Sequence, residues 1–164
     1  MRYYLREKLF SIGGDAMIQD QQNRDLYLVD GKAISLGRRL EIKDRKGKLL
    51  ATIQQAVISL TPTFEIHNHA GTSARVSMKL LSLRDRLKID VPGSDDLEAV
   101  GDLFHHEYTI YRHGRAVAQV SKRWLTITDN YGVEVDEDED QILILASAVV
   151  IDEILDLRQR ADKE

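Results

Sequence analysis

The sequence predicts a mainly β protein, a closed antiparallel barrel of about a dozen strands around one apolar helix near the C-terminus. Turn-forming residues recur at short intervals up to residue 135, and the segments between them alternate apolar and polar side chains. Residues 136–164 differ from the rest, because they carry an acidic stretch followed by a long apolar run. A sheet that closes around this run would explain both patterns.

The predicted turns contain residues that tolerate the positive φ of tight hairpins. They are Asp30 and Gly31, Lys46 and Gly47, residues 68–71, Pro92 and Gly93, His113 and Gly114, and residues 130–132. Between the turns, apolar and polar residues alternate. One face of a predicted strand carries Ala116, Ala118 and Val120, and one face of the next carries Leu125 and Ile127. This alternation predicts strands with one solvated face. No Pro- or Ser-rich linker and no clear repeat interrupts the series, so residues 1–164 are predicted to form a single domain.

The central helix is predicted over residues 139–157. Within residues 142–151 only Ser147 interrupts the apolar run, and a helix that is apolar on every side must be surrounded. A bilayer span needs about twenty residues, so the protein's own sheet is the expected surrounding. Asp138 and Gln141 have the spacing of a capping box with an acidic cap. A buried strand is the alternative, but the apolar pattern continues through Leu157, which is too long for one strand.

Composition indicates a soluble cytoplasmic protein. The chain has no cysteine, which excludes disulfides, thiolate metal sites and cysteine nucleophiles and suits a reducing compartment. Residues 1–8 carry charges where a signal peptide needs its apolar region, and no transmembrane segment is predicted. The net charge of −4 lacks the basic bias of a nucleic-acid-binding protein.

Residues 108–124, 129–135 and 146–152 resemble the LURP-one-related family of the Tubby C-terminal-like superfamily, which also includes phospholipid scramblases. The stretches in question are YTI followed by GRAVAQVSKRW, then DNYGVEV, then ASAVVID, and residues 30–53 fit the same family. The resemblance implies a twelve-stranded barrel around a central hydrophobic helix. The matching residues are structural, so the resemblance specifies the fold and says little about activity.

Catalytic motifs are not found. His106 and Glu107 begin like the HExxH motif of zinc proteases, but Ile110 stands where the second histidine is required. Gly47 and Lys48 lack the other residues of a phosphate-binding loop, and neither GxSxG nor GxGxxG occurs. We therefore expect a protein that is not an enzyme and needs no cofactor.

Two groups of residues suggest a metal site, but the interpretation that these side chains are simply solvated is favoured for both. The chain has five histidines: His67, His69, His105, His106 and His113. His67 and His69 would share the solvated face of a strand whose Phe64 and Ile66 point inward, but further ligands would have to come from elsewhere. The scramblase resemblance implies calcium candidates at Asp129, Asp136 and Asp138. Their spacing departs from an EF-hand, and a helix cap with solvated acids is favoured.

Cationic residues cluster along one predicted hairpin: Arg38, Arg39, Lys43, Arg45, Lys46 and Lys48. Lys122 and Arg123 are adjacent in the sequence and form a second, smaller group of cations. Each Lys or Arg near an anionic membrane contributes about 1 kcal/mol, so several on one face suffice for weak, salt-sensitive docking. The alternative is that these charges only solvate the exterior of the barrel and discourage edge pairing.

The leading functional hypothesis is a non-enzymatic module that binds anionic phospholipid headgroups, with peripheral membrane association. The resemblance points to the same ligand class, because Tubby binds phosphoinositides through basic surface residues, although no motif transfers those positions. A regulatory or scaffolding domain that recognises another protein is the second hypothesis. Scramblase-like lipid transport is the third, and burial of the helix inside the sheet would count against it.

Overall fold

The structure, a computed structural model, describes residues 1–7, 15–34, 37–78, 86–124 and 131–163, with the backbone alone for residues 7 and 32–34. In these ranges twelve strands precede one helix. They are β1 (Arg2–Glu7), β2 (Ala16–Gln19), β3 (Asp25–Ile34), β4 (Gly37–Asp44), β5 (Leu49–Gln55), β6 (Thr63–Asn68), β7 (Ser73–Met78), β8 (Arg86–Asp90), β9 (Leu97–Asp102), β10 (Glu107–Arg112), β11 (Arg115–Ser121), β12 (Tyr131–Val135) and α1 (Gln141–Ala161).

The strands form one closed antiparallel barrel, as the sequence predicts. Each strand pairs with its neighbours in chain order, and β1 pairs with β12 to close the sheet. Alternate residues point inward, so that Ile42, Ile53 and Ile66 are fully buried. The described part of the chain contains no helix that is long and apolar enough to cross a bilayer.

The helix α1 fills the barrel. Ile144, Ala148 and Ile151 are fully buried, and α1 packs on the inner faces of β5, β6, β7 and β12. Burial of each large apolar side chain contributes roughly 1.5–3 kcal/mol, so the packing of α1 against the sheet stabilises the barrel substantially. The predicted central helix is confirmed, with bounds of Gln141–Ala161 instead of 139–157.

The helix begins at Asp140, and the predicted cap at Asp138 is wrong. The Asp140 carboxylate accepts a hydrogen bond from the Leu143 amide at 3.0 Å, and the Asn68 side-chain amide donates to both of its oxygens at 2.9 and 2.7 Å. Gln141 instead donates to the backbone carbonyls of Asp136 and Glu139. Asp140 is the N-cap because its carboxylate also accepts hydrogen bonds from the side-chain amide of Asn68 at the end of β6.

Replacing Asp140 with alanine tests this anchor. The change removes the cap and leaves the side-chain amide of Asn68, which is 7% exposed, without its acceptor. We expect the free energy of unfolding to fall by about 2 kcal/mol, measured by urea denaturation. The matched control Asp138→Ala removes an exposed carboxylate and should change stability little. Equal losses in the two variants would contradict the assignment of the cap.

Four predicted turns are confirmed, at Lys46 and Gly47, at residues 68–71, at Pro92 and Gly93, and at His113 and Gly114. Two are wrong. Asp30 and Gly31 lie inside β3 and pair with β4, and the left-handed glycine near that hairpin is Gly37, with φ 108°. Tyr131 and Gly132 lie in β12.

Gly132 is present for close packing and not for a turn. A Cβ at this position would lie 2.9 Å from the ring of Trp124, which covers the strand from outside. The predicted strand residues Leu125 and Ile127, together with Asn130, lie outside the described residues.

We name the two ends of the barrel after the helix terminus that lies there. The helix-N end holds the turns after β2, β4, β6, β8 and β10 and the linker 136–140, because Asp140 contacts Asn68 at the end of β6. At the helix-C end the strands β1, β3, β5, β7, β9 and β11 terminate, because Glu153 of α1 pairs with Arg38 at the start of β4.

Candidate lipid-binding surface

The six cations of the predicted hairpin lie on β4 and the turn that follows it, but the structure does not bring them into one patch. The eight residues of β4 extend over about 25 Å at the usual rise of a strand. Arg38 and Arg39 therefore lie at the helix-C end, whereas Arg45, Lys46 and Lys48 lie at the helix-N end.

The three cations within β4 form ion pairs. Arg38 occupies an inward-facing position at the rim of the barrel, where its guanidinium pairs with Glu153 of α1. Arg39 lies 3.3 Å from Glu41 on the outer face. The Lys43 ammonium lies 2.8 Å from Asp30 and 2.9 Å from Glu41, and these hydrogen bonds raise the pKa of Lys43. The charge of Lys43 is therefore paired with two carboxylates.

The turn after β4 presents three exposed cations. The Asp44 carboxylate organises the turn, because it accepts hydrogen bonds from the backbone N–H groups of Lys46 and Lys48 at 2.8 and 2.9 Å. The side chains of Arg45, Lys46 and Lys48 make no ion pair with the described residues. We call these three residues the basic turn. Its end of the barrel also carries acidic residues, of which Glu137 and Asp138 are exposed.

The connection between β5 and β6 exposes large apolar side chains at the helix-C end. Ile58 and Leu60 are each 99% exposed and Val57 is 60% exposed. We call residues 56–62 the apolar loop. Sequence reasoning missed this feature, since an apolar run beside a strand is ordinarily buried and exposure depends on where the loop projects.

Arginines lie on one side of the base of the apolar loop. Arg39 pairs in register with Gln54 near the end of β5. The backbone N–H of Arg38 donates to the side chain of Gln55 at 3.1 Å. These contacts place both arginines at the level where the loop leaves the barrel.

Another arginine lies on the other side of the loop base. Thr63 pairs with Ser77, which places Met78 level with Pro62. An Nη atom of Arg158, near the end of α1, lies 3.7 Å from the sulfur of Met78, and its guanidinium lies 5.3 Å from the centroid of the Phe104 ring. The apolar loop therefore leaves the barrel between Arg38 and Arg39 on one side and Arg158 on the other.

Further exposed cations lie at the same end of the barrel, although β11 is on the opposite side of its wall from β5 and β6. Lys122 and Arg123 follow β11, and Arg160 lies in the last turn of α1. Arg123 lies 3.9 Å from Glu107 with most of its side chain exposed. We call Arg39, Lys122, Arg123, Arg158 and Arg160 the rim cations.

A polar cluster inside the helix-C end joins the sheet to α1. Nε2 of His106 lies 2.5 Å from the Asp152 carboxylate, and its ring stacks on Tyr131 with centroids 4.6 Å apart. The phenols of Tyr108 and Tyr131 are buried beside Asp152, and burial raises their pKa values well above the usual range. The phenols therefore stay protonated at neutral pH, and the cluster holds α1 in place.

The remaining histidines are dispersed over the surface. His67 is exposed on β6 while Phe64 and Ile66 point inward, as predicted. His69 is also exposed, but it lies in the turn after β6 and not on the strand as predicted. Separate partners hold the other two, since His105 lies 2.7 Å from Asp102 and His113 lies 2.8 Å from Asp95. The described ranges contain no group of three or more histidine or carboxylate side chains that could hold a metal ion.

The calcium candidates do not form a common site where they are described. Asp136 pairs with Arg115, and this hydrogen bond holds the pKa of the Asp136 carboxyl below its usual value. Asp138 is exposed to solvent, and Asp129 lies outside the described residues.

Comparisons with known proteins agree with the fold. A family model described as LURP-one-related matches residues 1–152. The uncharacterized protein YxjI of Bacillus subtilis (strain 168) is 30% identical over 152 residues, which covers 93% of this chain and 92% of that protein. The X-ray structure of a protein from Arabidopsis thaliana superposes with a TM-score of 0.69 at 16% identity, covering 93% of this chain and 90% of the other.

Proposed function

The chain belongs to the LURP-one-related family, and from that premise we propose that it is a non-enzymatic module that binds anionic phospholipid headgroups at a membrane surface. The helix-C end faces the lipid. The observation that carries the proposal is that the rim cations and the apolar loop lie at the same end of the barrel, with Arg39 and Arg158 beside the loop.

The combination of cations with the apolar loop favours the helix-C end over the basic turn. Each Lys or Arg held near an anionic leaflet contributes about 1 kcal/mol, so the rim cations together support weak docking. Exposed carboxylates, which the same surface would repel, lie at both ends: Asp102, Asp156 and Asp162 at the helix-C end, and Asp95, Asp96, Glu137 and Asp138 at the helix-N end. The helix-C end differs in combining its cations with the apolar loop. In this orientation Arg38 and Arg39 of the predicted six lie near the headgroups, and the basic turn faces away from them.

Vesicle sedimentation tests the proposal. We expect the wild-type protein to bind vesicles that contain phosphatidylserine at low salt and to dissociate from them as the salt concentration is raised. It should not bind vesicles of pure phosphatidylcholine. The double variant Lys122→Glu with Arg123→Glu should bind at least about thirtyfold more weakly, because two attractions become repulsions.

The matched control is Lys46→Glu with Lys48→Glu, which changes the net charge equally at the opposite end and should retain binding. Failure of the wild-type protein to bind anionic vesicles at low salt would refute the proposal. Loss of binding in the control variant alone would instead assign the headgroup site to the basic turn.

A second candidate function is recognition of another protein in a regulatory or scaffolding role. The apolar loop favours it, because exposed apolar patches mark protein interfaces as well as membrane contacts. A stoichiometric partner in affinity purification, together with no response to vesicles, would support this alternative. Scramblase-like transport is less favoured, because the sheet encloses α1 and leaves Ile144, Ala148 and Ile151 without a lipid-facing surface.

A further inference from the structure

We infer that the apolar loop inserts its tip into the interfacial region of an anionic bilayer and thereby sets the orientation of the barrel on the membrane. This inference rests on the proposed function and adds to it the inserting segment, Val57, Ile58 and Leu60. The partner is the boundary between headgroups and acyl chains. The apolar tip adds hydrophobic binding energy and a fixed orientation to the electrostatic attraction of the headgroups.

Exposed apolar surface is concentrated in this loop. Among the described residues, the large hydrophobic side chains that are exposed are Met1 and the three side chains of the tip. Scattered exposed apolar residues are ordinary, but three on one short connection, two of them 99% exposed, form a patch that water disfavours. Transfer of this patch into the bilayer interface removes that penalty.

The loop is held in shape at its base. The Ala56 N–H donates to the Thr63 carbonyl at 2.9 Å, which closes the loop. The hydroxyls of Ser59 and Thr63 lie 2.8 Å apart, and the Thr63 hydroxyl donates to the Thr61 carbonyl at 3.0 Å. These contacts engage polar groups near the barrel and leave the apolar side chains projecting, so little conformational entropy is lost on insertion.

The charges beside the loop match an anionic lipid surface. Arg39 lies at the level of Gln54, and Arg158 contacts Met78, which lies level with Pro62. Both guanidinium groups therefore lie behind the tip, at the depth of the headgroups once the tip has entered the interface. An apolar tip with cations behind it is the arrangement of peripheral membrane-binding segments.

A protein groove fits the loop less well than a membrane. A stable protein interface buries about 800 Å² on each partner and needs a complementary surface of that size. Three side chains on a narrow projecting loop offer a convex tip with charged neighbours. A fluid bilayer adapts to such a tip without a preformed pocket.

Site-specific labelling tests the inference, and the absence of native cysteine makes it direct. We would attach an environment-sensitive, thiol-reactive dye to Ile58→Cys and, as a matched control at the other end, to Lys46→Cys. On addition of vesicles of phosphatidylcholine and phosphatidylserine, we expect a blue shift and protection from aqueous iodide at position 58. The dye at position 46 should show no change.

A second measurement removes the apolar tip. Ile58→Ser with Leu60→Ser should weaken vesicle binding about tenfold or more, while circular dichroism and thermal unfolding stay unchanged because both side chains are exposed. The conservative variant Ile58→Leu with Leu60→Ile keeps the apolar surface and should bind as the wild type does.

The outcomes separate this inference from the proposed function. Wild-type binding to anionic vesicles, with no dye response at position 58 and no effect of the serine changes, would overturn insertion and leave headgroup binding intact. A shift at position 46 alone would overturn it and turn the barrel around. Absence of wild-type binding would overturn both. A dye at position 58 that responds to a purified protein partner and never to vesicles would overturn insertion and assign the apolar loop to protein recognition.

Discussion

Replacing Ala148 with aspartate is expected to prevent folding. Ala148 lies in the middle of α1, is fully buried and is enclosed by the barrel. A carboxylate there would be surrounded by apolar side chains such as Leu145 and Ile151. The uncompensated burial of a charge costs at least several kcal/mol, which is comparable with the total stability of about 5–15 kcal/mol for a domain.

Circular dichroism and thermal unfolding would measure this effect. Ala161→Asp is the matched control, because it makes the same change at the exposed end of the same helix and should fold and melt like the wild type. A soluble Ala148→Asp protein that unfolds cooperatively near the wild-type temperature would contradict the central position of α1.

The second large effect is expected for Arg38→Met, which should lower the free energy of unfolding by about 3 kcal/mol at neutral pH. The substitution keeps much of the side-chain volume but leaves the Glu153 carboxylate, which is 15% exposed, without its partner. Loss of one member of a buried ion pair typically costs about 3–5 kcal/mol, and partial exposure of this pair puts the loss near the lower limit.

The loss should depend on pH in a defined direction. Burial raises the pKa of Glu153 in the folded protein above its usual value, and Arg38 opposes that rise. The folded state of the variant therefore binds a proton more readily than the unfolded state, so stability increases as the pH falls through the folded pKa towards the unfolded one. Urea denaturation should accordingly show a smaller difference between variant and wild type near pH 5 than at pH 7.

The double variant Arg38→Met with Glu153→Gln provides the control. It removes both charges and should recover part of the stability that Arg38→Met alone loses, with little dependence on pH in this range. A loss that is the same at both pH values, and that the second change does not relieve, would show that Arg38 acts by packing alone.

The fold could be predicted from sequence because its signals are local. Four consecutive apolar residues at 142–145 cover every side of a helix, and strand alternation such as that of Phe64 and Ile66 against His67 distinguishes the inner from the outer face. The exact helix start could not be predicted, because Asp138 and Asp140 are equivalent until the contact with Asn68 at the end of β6 is known.

The position of the candidate lipid-binding surface could not be predicted from the sequence, because it depends on where distant segments lie in the fold. Arg38 and Lys48 lie close together in the chain, but an extended strand carries them to opposite ends of the barrel. Sequence likewise does not reveal that Arg158 lies beside Met78, or that Ile58 projects away from the core, because both depend on contacts between distant segments.

The closure of the sheet between β1 and β12 has a consequence for biosynthesis. During synthesis β1 is made long before its partner β12, and the helix that occupies the interior is made after both. A nascent chain therefore carries many inward-facing apolar side chains with nothing to cover them until α1 has been made. Protection of that intermediate from aggregation falls to chaperones and to the speed of the final collapse.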